Sequence, residues 1–514
     1  MVVPLIIILT ISFSLLLFLS IFIKFLHKLW WVPIQIQNTM RIQGIKGPSY
    51  KFLHGSTKEM AHLRKEALST PMDLSHDIFP RILPHFYSWF NIYGKNVLYW
   101  FGYRAQLVVT EPEFIKEVLN NKEKTYPKRE TEGYVKKLLG EGLVTIPEGE
   151  KWGKLRKLAN HAFHAEGLKN MVPSMIASVE MMLERWKEYE GKEIEVFEEF
   201  RLLTSEVISR TAFGSSYLQG KDIFDMLAKL SMMAAKNAFK IRIPGISQIW
   251  KSNDEIESEK LEQRMRESIV GIIKEREKVA NGEVESLGND FLGMLVKAKH
   301  DGDKSNRITV EDIVDECKTF YVAGHETTTS LLSWTVLLLA IYTDWQEKAR
   351  KEVLALFGHE HPTSDGIPRL KTMNMIINES LRLYPPVVAL IRTVKQESKL
   401  GKFVLPKKIN INVPILALHH DTQIWGEDAQ KFNPERFSQG VAKATNNHPS
   451  VFLPFGLGPR SCVGLNFATN EAKIALSMIL QHYAFTLSPA YTHSPLQILT
   501  IRPQHGVQVI LHPL

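Results

Sequence analysis

Cysteine is nearly absent. The 514-residue chain has two, Cys317 and Cys462, enough for one disulfide at most. That excludes a disulfide-framework secreted protein and predicts a chain that works with reduced thiols. Acidic residues are missing from the first 51 positions, which carry Lys24, Lys28, Arg41, Lys46 and Lys51. That stretch holds +5 of the formal charge of +8 and leaves +3 for everything after it. A body so close to neutral has no bulk electrostatic reason to bind phosphate backbones, and no nucleic-acid partner is expected. Internal repeats, low-complexity tracts and a second long apolar run are absent as well. What remains, 44% hydrophobic and 23% charged residues, is an ordinary globular composition rather than a disordered, collagen-like or coiled-coil one.

The one long apolar run is at the amino terminus. Val2 to Ile23 is a stretch of 22 uncharged residues, which as a helix spans about 33 Å, enough to cross a hydrocarbon core. A cleaved signal peptide is the competing reading. It asks for a basic leader, a shorter apolar core and a small-residue cleavage site, and the anchor reading is therefore favoured. Lys24 and Lys28, followed by Trp30 and Trp31, place the carboxyl side in the cytosol and the indoles at the interface. Residues 24–51, basic and punctuated by Gly44, Gly47 and Pro48, read as a linker. Residues 52–514 read as one unit.

That unit is mainly helical. Apolar periodicity predicts helices over 150–165, 171–190, 196–213, 255–280, 308–341, 343–356, 369–383 and 465–482, and small sheets near 97–110, 391–414 and 499–511. Residues 281–306 read as a surface loop. The helix over 308–341 opens with Thr309 and Asp312, a capping-box variant. Its interior holds Ala323-Gly324-His325-Glu326-Thr327-Thr328-Thr329. A glycine and three β-branched residues cost a helix interior about 2 kcal/mol relative to alanine. Such a sequence predicts a distorted turn, either a bulge at a functional site or a kink that fits neighbouring helices.

The strongest local signal is Phe455-Gly456-Leu457-Gly458-Pro459-Arg460-Ser461-Cys462-Val463-Gly464, running into the helix at 465. Glycines at 456, 458 and 464 suit close approach of backbone to a flat ligand. A thiolate at Cys462, just before a helix, is stabilised by unpaired amides and the positive helix end. Arg460 suits pairing with a carboxylate. The Gly-x-Gly pattern superficially fits a dinucleotide loop, but no βαβ unit surrounds it.

With these residues the chain resembles the cytochrome P-450 family of haem-thiolate monooxygenases, over nearly its whole length. Trp152-x-x-x-Arg156 resembles the family's propionate-contacting helix, Ala323-Gly324-x-Glu326-Thr327 its oxygen-activation motif, and Glu379-x-x-Arg382 with Arg436 its structural ion cluster. The wording of the motifs is most similar to the plant seventy-two clan. Glu-x-x-Arg occurs three times, and the copies at Glu198 and Glu347 are expected to be surface pairs. The resemblance implies a mainly α fold with small β-sheets behind a single transmembrane helix. It implies haem b, iron protoporphyrin IX, with Cys462 as axial thiolate and metal ligand. The cofactor would be held by Phe455, Gly458, Arg460, Gly464, Trp152, Arg156, Arg392 and Gly324.

A thiolate ligand favours cleavage of an O–O bond. The resemblance implies that Thr327 holds the oxygen and that Glu326 relays protons to it through water, which gives the helix distortion a use. His325 is expected to make a polar contact at the helix edge rather than ligate, and Cys317 to be a small buried hydrophobe. The chain lacks a flavin or nicotinamide domain, so electrons must come from an NADPH-dependent reductase, for which Lys151, Lys154, Arg156, Lys157, His161 and His164 offer a basic face. The implied partners are O2, a small apolar substrate and the endoplasmic reticulum membrane, with the catalytic domain cytosolic and monomeric. Terpenoids, plant hormones and fatty acids are the implied substrate classes, and the pocket is expected to draw on the 119–148 region, parts of 212–250, the long helix before Gly324, Val387 to Leu390 and a turn near 490–496. A haem-thiolate peroxide isomerase or dehydratase, a non-catalytic haem or sterol binder, and an enzyme using Cys462 as nucleophile are the alternatives. None of these needs the whole motif set.

Overall fold

In the computed structural model, residues 2–121, 123–241, 251–280, 284–303 and 305–514 are described. The apolar run forms helix α1 (Val2–Leu26), whose large side chains from Ile6 to Ile23 are exposed, as a helix facing lipid would require. A π turn at His27–Trp31 leads without a break into α2 (Val32–Ile42), where Pro33 supplies no N–H to the preceding turn. The segment read as a linker is therefore helical to Ile42, and the chain turns only at Gly44, in the left-handed region at φ +84°. It is also docked: Leu29, Met40 and Ile45 are buried, the Tyr50 hydroxyl donates to the Leu29 carbonyl, and Trp30 meets the edge of Phe52 at 5.6 Å.

Of the helices that follow, those used below are α3 (Glu150–Ala162), α4 (Ala165–Trp186), α5 (Val196–Phe213), α6 (Tyr217–Lys236), α7 (Asn253–Val279), α8 (Val310–Ile341), α9 (Thr343–Phe357), α10 (Lys371–Leu383) and α11 (Leu465–His482). Their bounds fall close to the apolar periodicity. There are departures: Phe291–Lys299 is a helix inside the expected surface loop, and α6 and the helix Thr57–Ser69 lie in stretches the periodicity left unassigned.

Eleven strands form four small sheets among the described residues. In the largest, β1 (Leu98–Phe101) and β2 (Arg104–Val108) form a hairpin, β7 (Asn410–Val413) runs parallel to β2, and β4 (Leu390–Thr393) pairs antiparallel with β7. This sheet carries its own apolar core, which takes in Met40 and Ile45 and so ties the anchor to the body. It also delivers Arg392, on β4, to the cavity described below.

Helix α8 runs through the main core, against α5, α10 and α11. Its start is the reciprocal cap read from the sequence: Asp312 N–H donates to Thr309 Oγ1 at 3.1 Å and Thr309 N–H to Asp312 Oδ2 at 2.8 Å. The expected bulge is not there. The backbone is α-helical from Val310 to Ile341, and the threonine run turns its hydroxyls back onto the helix. Thr327, Thr328 and Thr329 donate to the carbonyls of Ala323, Gly324 and His325 at 2.8, 3.3 and 2.8 Å. Gly324 has a packing reason instead, since a Cβ there would stand 2.7 Å from Cδ1 of Ile208 on α5.

The ion cluster assembles as expected. Glu379 and Arg382, both fully buried, form a two-bond fork at 2.7 Å in each arm, and Arg436 approaches the same carboxylate at 3.4 Å. Arg382 also donates to the carbonyls of His419 and Ala429 at 2.9 and 2.6 Å. It thereby pins the chain between β7 and the cysteine loop onto α10. Of the other Glu-x-x-Arg copies, Glu198 with Arg201 is superficial. The third, on α9, is not a surface pair: Arg350 is buried and donates to the carbonyls of Leu480 and Tyr483, because the end of α11 folds over it.

Candidate haem site

Between α8 and the cysteine loop lies a cavity of about 350 Å³. The cysteine loop is built by its glycines and by one short bond. Gly456 and Gly458 take positive φ of 71° and 76°, and the Cys462 N–H donates to the Phe455 carbonyl at 2.8 Å. This closes a turn that points Cys462 into the cavity ahead of α11. Phe455, Cys462 and Gly464 line the wall. Gly458 does not. It backs onto Leu119 and Asn120, where a Cβ would fall 2.5 Å from the Leu119 carbonyl oxygen, so its smallness serves chain packing rather than ligand contact. Burial pushes the Cys462 thiol pKa up, while the Gly464 amide and the Arg156 guanidinium pull it back. Cys317 is buried in the core of α8 with its thiol pKa pushed up by desolvation.

The opposite wall is α8, through Thr319, Phe320, Ala323, Gly324, Thr327 and Thr328. Glu326 is not on it. Its carboxylate accepts from Thr500 Oγ1 at 3.4 Å and sits 3.8 Å from His325 Nε2, because one helical step turns it about 100° from Thr327. His325 also points away from the cavity. It is buried, its Nδ1 bonds the Tyr321 carbonyl at 2.6 Å, and burial lowers its pKa. It therefore makes the helix contact expected of it.

One edge of the cavity is cationic. Lys128, Arg156, Arg392 and Arg460 line it together with Trp152, and no carboxylate is among the described lining residues. Arg460 lies over the Trp152 ring at 4.8 Å and donates to Glu148 at 2.9 Å. Arg156 donates to the Ser461 carbonyl at 2.7 Å. The buried Arg392 has an Nε without a partner, and desolvation drops its pKa to about 10. Lys128 falls further, to about 7, by desolvation and then by repulsion from Arg392, Arg460 and Arg129, with Glu148 the opposing charge. Cations crowded against one carboxylate, with an orphaned guanidinium nitrogen, are matched to a ligand that brings negative charge. A flat apolar ring bearing two carboxylates, with a metal needing a soft thiolate, fits this donor set.

Lys128 and Glu148 fall inside the expected 119–148 region without being singled out there, and Ile208, Phe163 and Phe467 on the walls went unread. Conversely, the turn near 490–496 does not reach the cavity. Ser494 receives Arg81 at 2.8 Å, and His493 bonds Tyr491 at 2.8 Å. Of the expected 212–250 region, no described residue lines the cavity, and 242–250 lie outside the described residues.

The cytochrome P450 family profile matches residues 81–510. The chain belongs to the cytochrome P450 family. It is 65% identical over 499 residues to cytochrome P450 CYP749A22 of Panax ginseng, covering 96% of this chain and 95% of the relative. It is 40% identical to cytochrome P450 72A68 of Medicago truncatula, over 96% and 95%, which bears out the resemblance to the seventy-two clan. Identity to 11-oxo-beta-amyrin 30-oxidase of Glycyrrhiza uralensis is 42%, over 95% of this chain and 94% of that one. Among solved structures, the haem domain of cytochrome P450DA superposes with a TM-score of 0.73 at 25% identity, covering 85% of this chain and 93% of that one. The cofactor of this P450 is accordingly a haem with a cysteine thiolate ligand, and its reaction class is monooxygenation.

Proposed function

We propose that this P450 inserts one atom of O2 into a bulky apolar substrate of the triterpenoid class, with Cys462 as the thiolate ligand. The carrying observation is the cavity: one wall offers Cys462, the facing wall offers Thr327, and the space between is bounded chiefly by Leu143, Val144, Ile208, Phe320, Val387 and Ala389. Apolar walls select by shape and desolvation, with few polar groups to satisfy in a substrate. The similarity to 11-oxo-beta-amyrin 30-oxidase favours fused-ring triterpenoids over hormones and fatty acids.

When bound, the haem supplies activation of O2 at its iron. Arg156, Arg392, Arg460 and Lys128 would hold its propionates, and the Trp152 ring, 4.8 Å from the Arg460 guanidinium, steadies that group. Metal binding requires the Cys462 thiol to be deprotonated, and the Gly464 amide and Arg156 favour that form. Thr327 holds a proton on Oγ1 at the cavity wall, kept on the Ala323 carbonyl at 2.8 Å until a better acceptor enters. Glu326 serves as the replenishing acid, after rotation away from Thr500.

Electrons reach the site from an NADPH-dependent reductase docked on α3. Lys151 is tied to Asp312 at 2.6 Å and Lys154 to Glu150 at 2.8 Å, while Lys157 and His161 are exposed on that face and His164 sits 3.9 Å from Glu166. Helix α1 anchors the chain in the endoplasmic reticulum membrane with the domain cytosolic. The full chain, co-expressed in microsomes with a plant reductase, is expected to give NADPH-dependent singly oxygenated products from pentacyclic triterpenoids. Turnover confined to straight-chain fatty acids would overturn the substrate class.

A further inference from the structure

Segment 139–146 forms a wall of the cavity through Leu143 and Val144, yet side chains of α8 hold its backbone. The Leu143 N–H donates to Glu316 Oε1 at 2.5 Å, the Glu141 N–H to Asp315 Oδ2 at 2.8 Å, and the Thr319 hydroxyl to the Leu139 carbonyl at 3.0 Å. Arg460 secures the far end through the carbonyls of Leu143 and Ile146. Two glycines make the approach possible. A Cβ on Gly140, at φ +62°, would lie 2.0 Å from Asp315 Oδ1, and one on Gly142 would lie 2.4 Å from Thr319 Oγ1. Glu316 is fully buried, and its second oxygen has no partner. Burial pushes its carboxyl up to about 8, with the Leu143 amide opposing and Asp315 adding to the shift. A carboxyl in that setting serves as a hydrogen-bond acceptor, for which its charge is not needed.

We propose that Glu316 is a positioning residue: with Asp315 and Thr319 it latches segment 139–146 onto α8 and so sets how bulky a molecule the cavity accepts beside α8. The inference rests on the haem reading of the cavity, which the carbon monoxide spectrum of each sample checks separately. Of the latch, neither Glu316 nor Asp315 lines the cavity. The latch acts through Leu143 and Val144, so its loss should be felt by large ligands and not by small ones.

Two nitrogen ligands of the haem iron, imidazole and 4-phenylimidazole, report this difference by optical titration of the full-length protein. Glu316→Ala is expected to weaken 4-phenylimidazole about tenfold while leaving imidazole within about twofold, the scale of one lost buried hydrogen bond. Glu316→Gln keeps the acceptor and is expected to match wild type for both. Gly142→Ala leaves Glu316 intact but pushes the segment off Thr319. It is expected to reproduce the size-dependent loss, and it decides the matter if the alanine variant at 316 fails to bind haem. Equal effects on both ligands, no effect on either, or a glutamine variant as impaired as alanine would overturn the proposal.

Discussion

At the scale of single residues, the chemistry separates into what a motif carries locally and what the fold must add. Cys462, Phe455 and Gly464 share one turn, and their placement follows from the loop's own glycines and the Cys462 to Phe455 bond. Trp152 and Arg156 are one helical turn apart and needed only α3 to form. All were legible for that reason. Lys128 and Glu148 were not, because their meaning depends on distant partners: the Glu148 to Arg460 bond spans 312 positions, and no local pattern announces it. Glu326 was legible as a motif member but not in its direction, which the Thr500 contact sets. Thr327, by contrast, stands at the cavity wall with its hydroxyl on the Ala323 carbonyl. Thr327→Ala removes a positioned proton and is expected to lower product formation by about tenfold or more while oxygen consumption continues. Product yield per O2 consumed checks it, and a variant as well coupled as wild type would count against the role.

At the scale of elements, the periodic helices appeared close to where the apolar pattern put them, since each needs only one apolar stripe to be recognised. The interior of α8 was misread because tertiary packing explains its glycine better than a bulge does. Ile208 occupies the space a side chain at 324 would need. Gly324→Ala is expected to destabilise the protein by about 1–3 kcal/mol through overpacking. In an Ile208→Ala background, which carries its own cavity cost of about 2–5 kcal/mol, the further cost of Gly324→Ala should largely disappear. Denaturant midpoints of the two single variants and the double variant measure the coupling, and strictly additive effects would show that the two positions do not press on each other.

At the scale of the whole molecule, six buried histidines, His76, His85, His325, His419, His420 and His493, set an acid limit. Desolvation first, with nearby cations adding, lowers His76 and His493 to about 4 and His420 to about 3, and His419 is pushed well below its ordinary value. An unfolded chain binds protons at these positions below about pH 6.5, whereas the folded one does not until near pH 4. Each histidine therefore costs the fold roughly 1.4 kcal/mol per pH unit as pH falls through that window, and contributes nothing above it. The histidines' share of the unfolding free energy is expected to be constant above about pH 6.5 and to fall steeply from there toward pH 4. Replacing His493 with Gln should shallow that fall, and an unchanged slope would contradict the cause.

The same scale governs the anchor and the cofactor. Helix α2 packs onto the sheet that carries Arg392, so membrane attachment and haem pocket share one rigid support. That union was invisible to a reading which took 24–51 as a linker, because Met40 and Ile45 find their core only across the fold. The most direct test of the account is the carbon monoxide difference spectrum of reduced microsomes carrying the full chain. The thiolate-haem Soret band should be present in wild type and in Cys317→Ser and lost in Cys462→Ser. A band that survives Cys462→Ser, or vanishes only with Cys317→Ser, would contradict it.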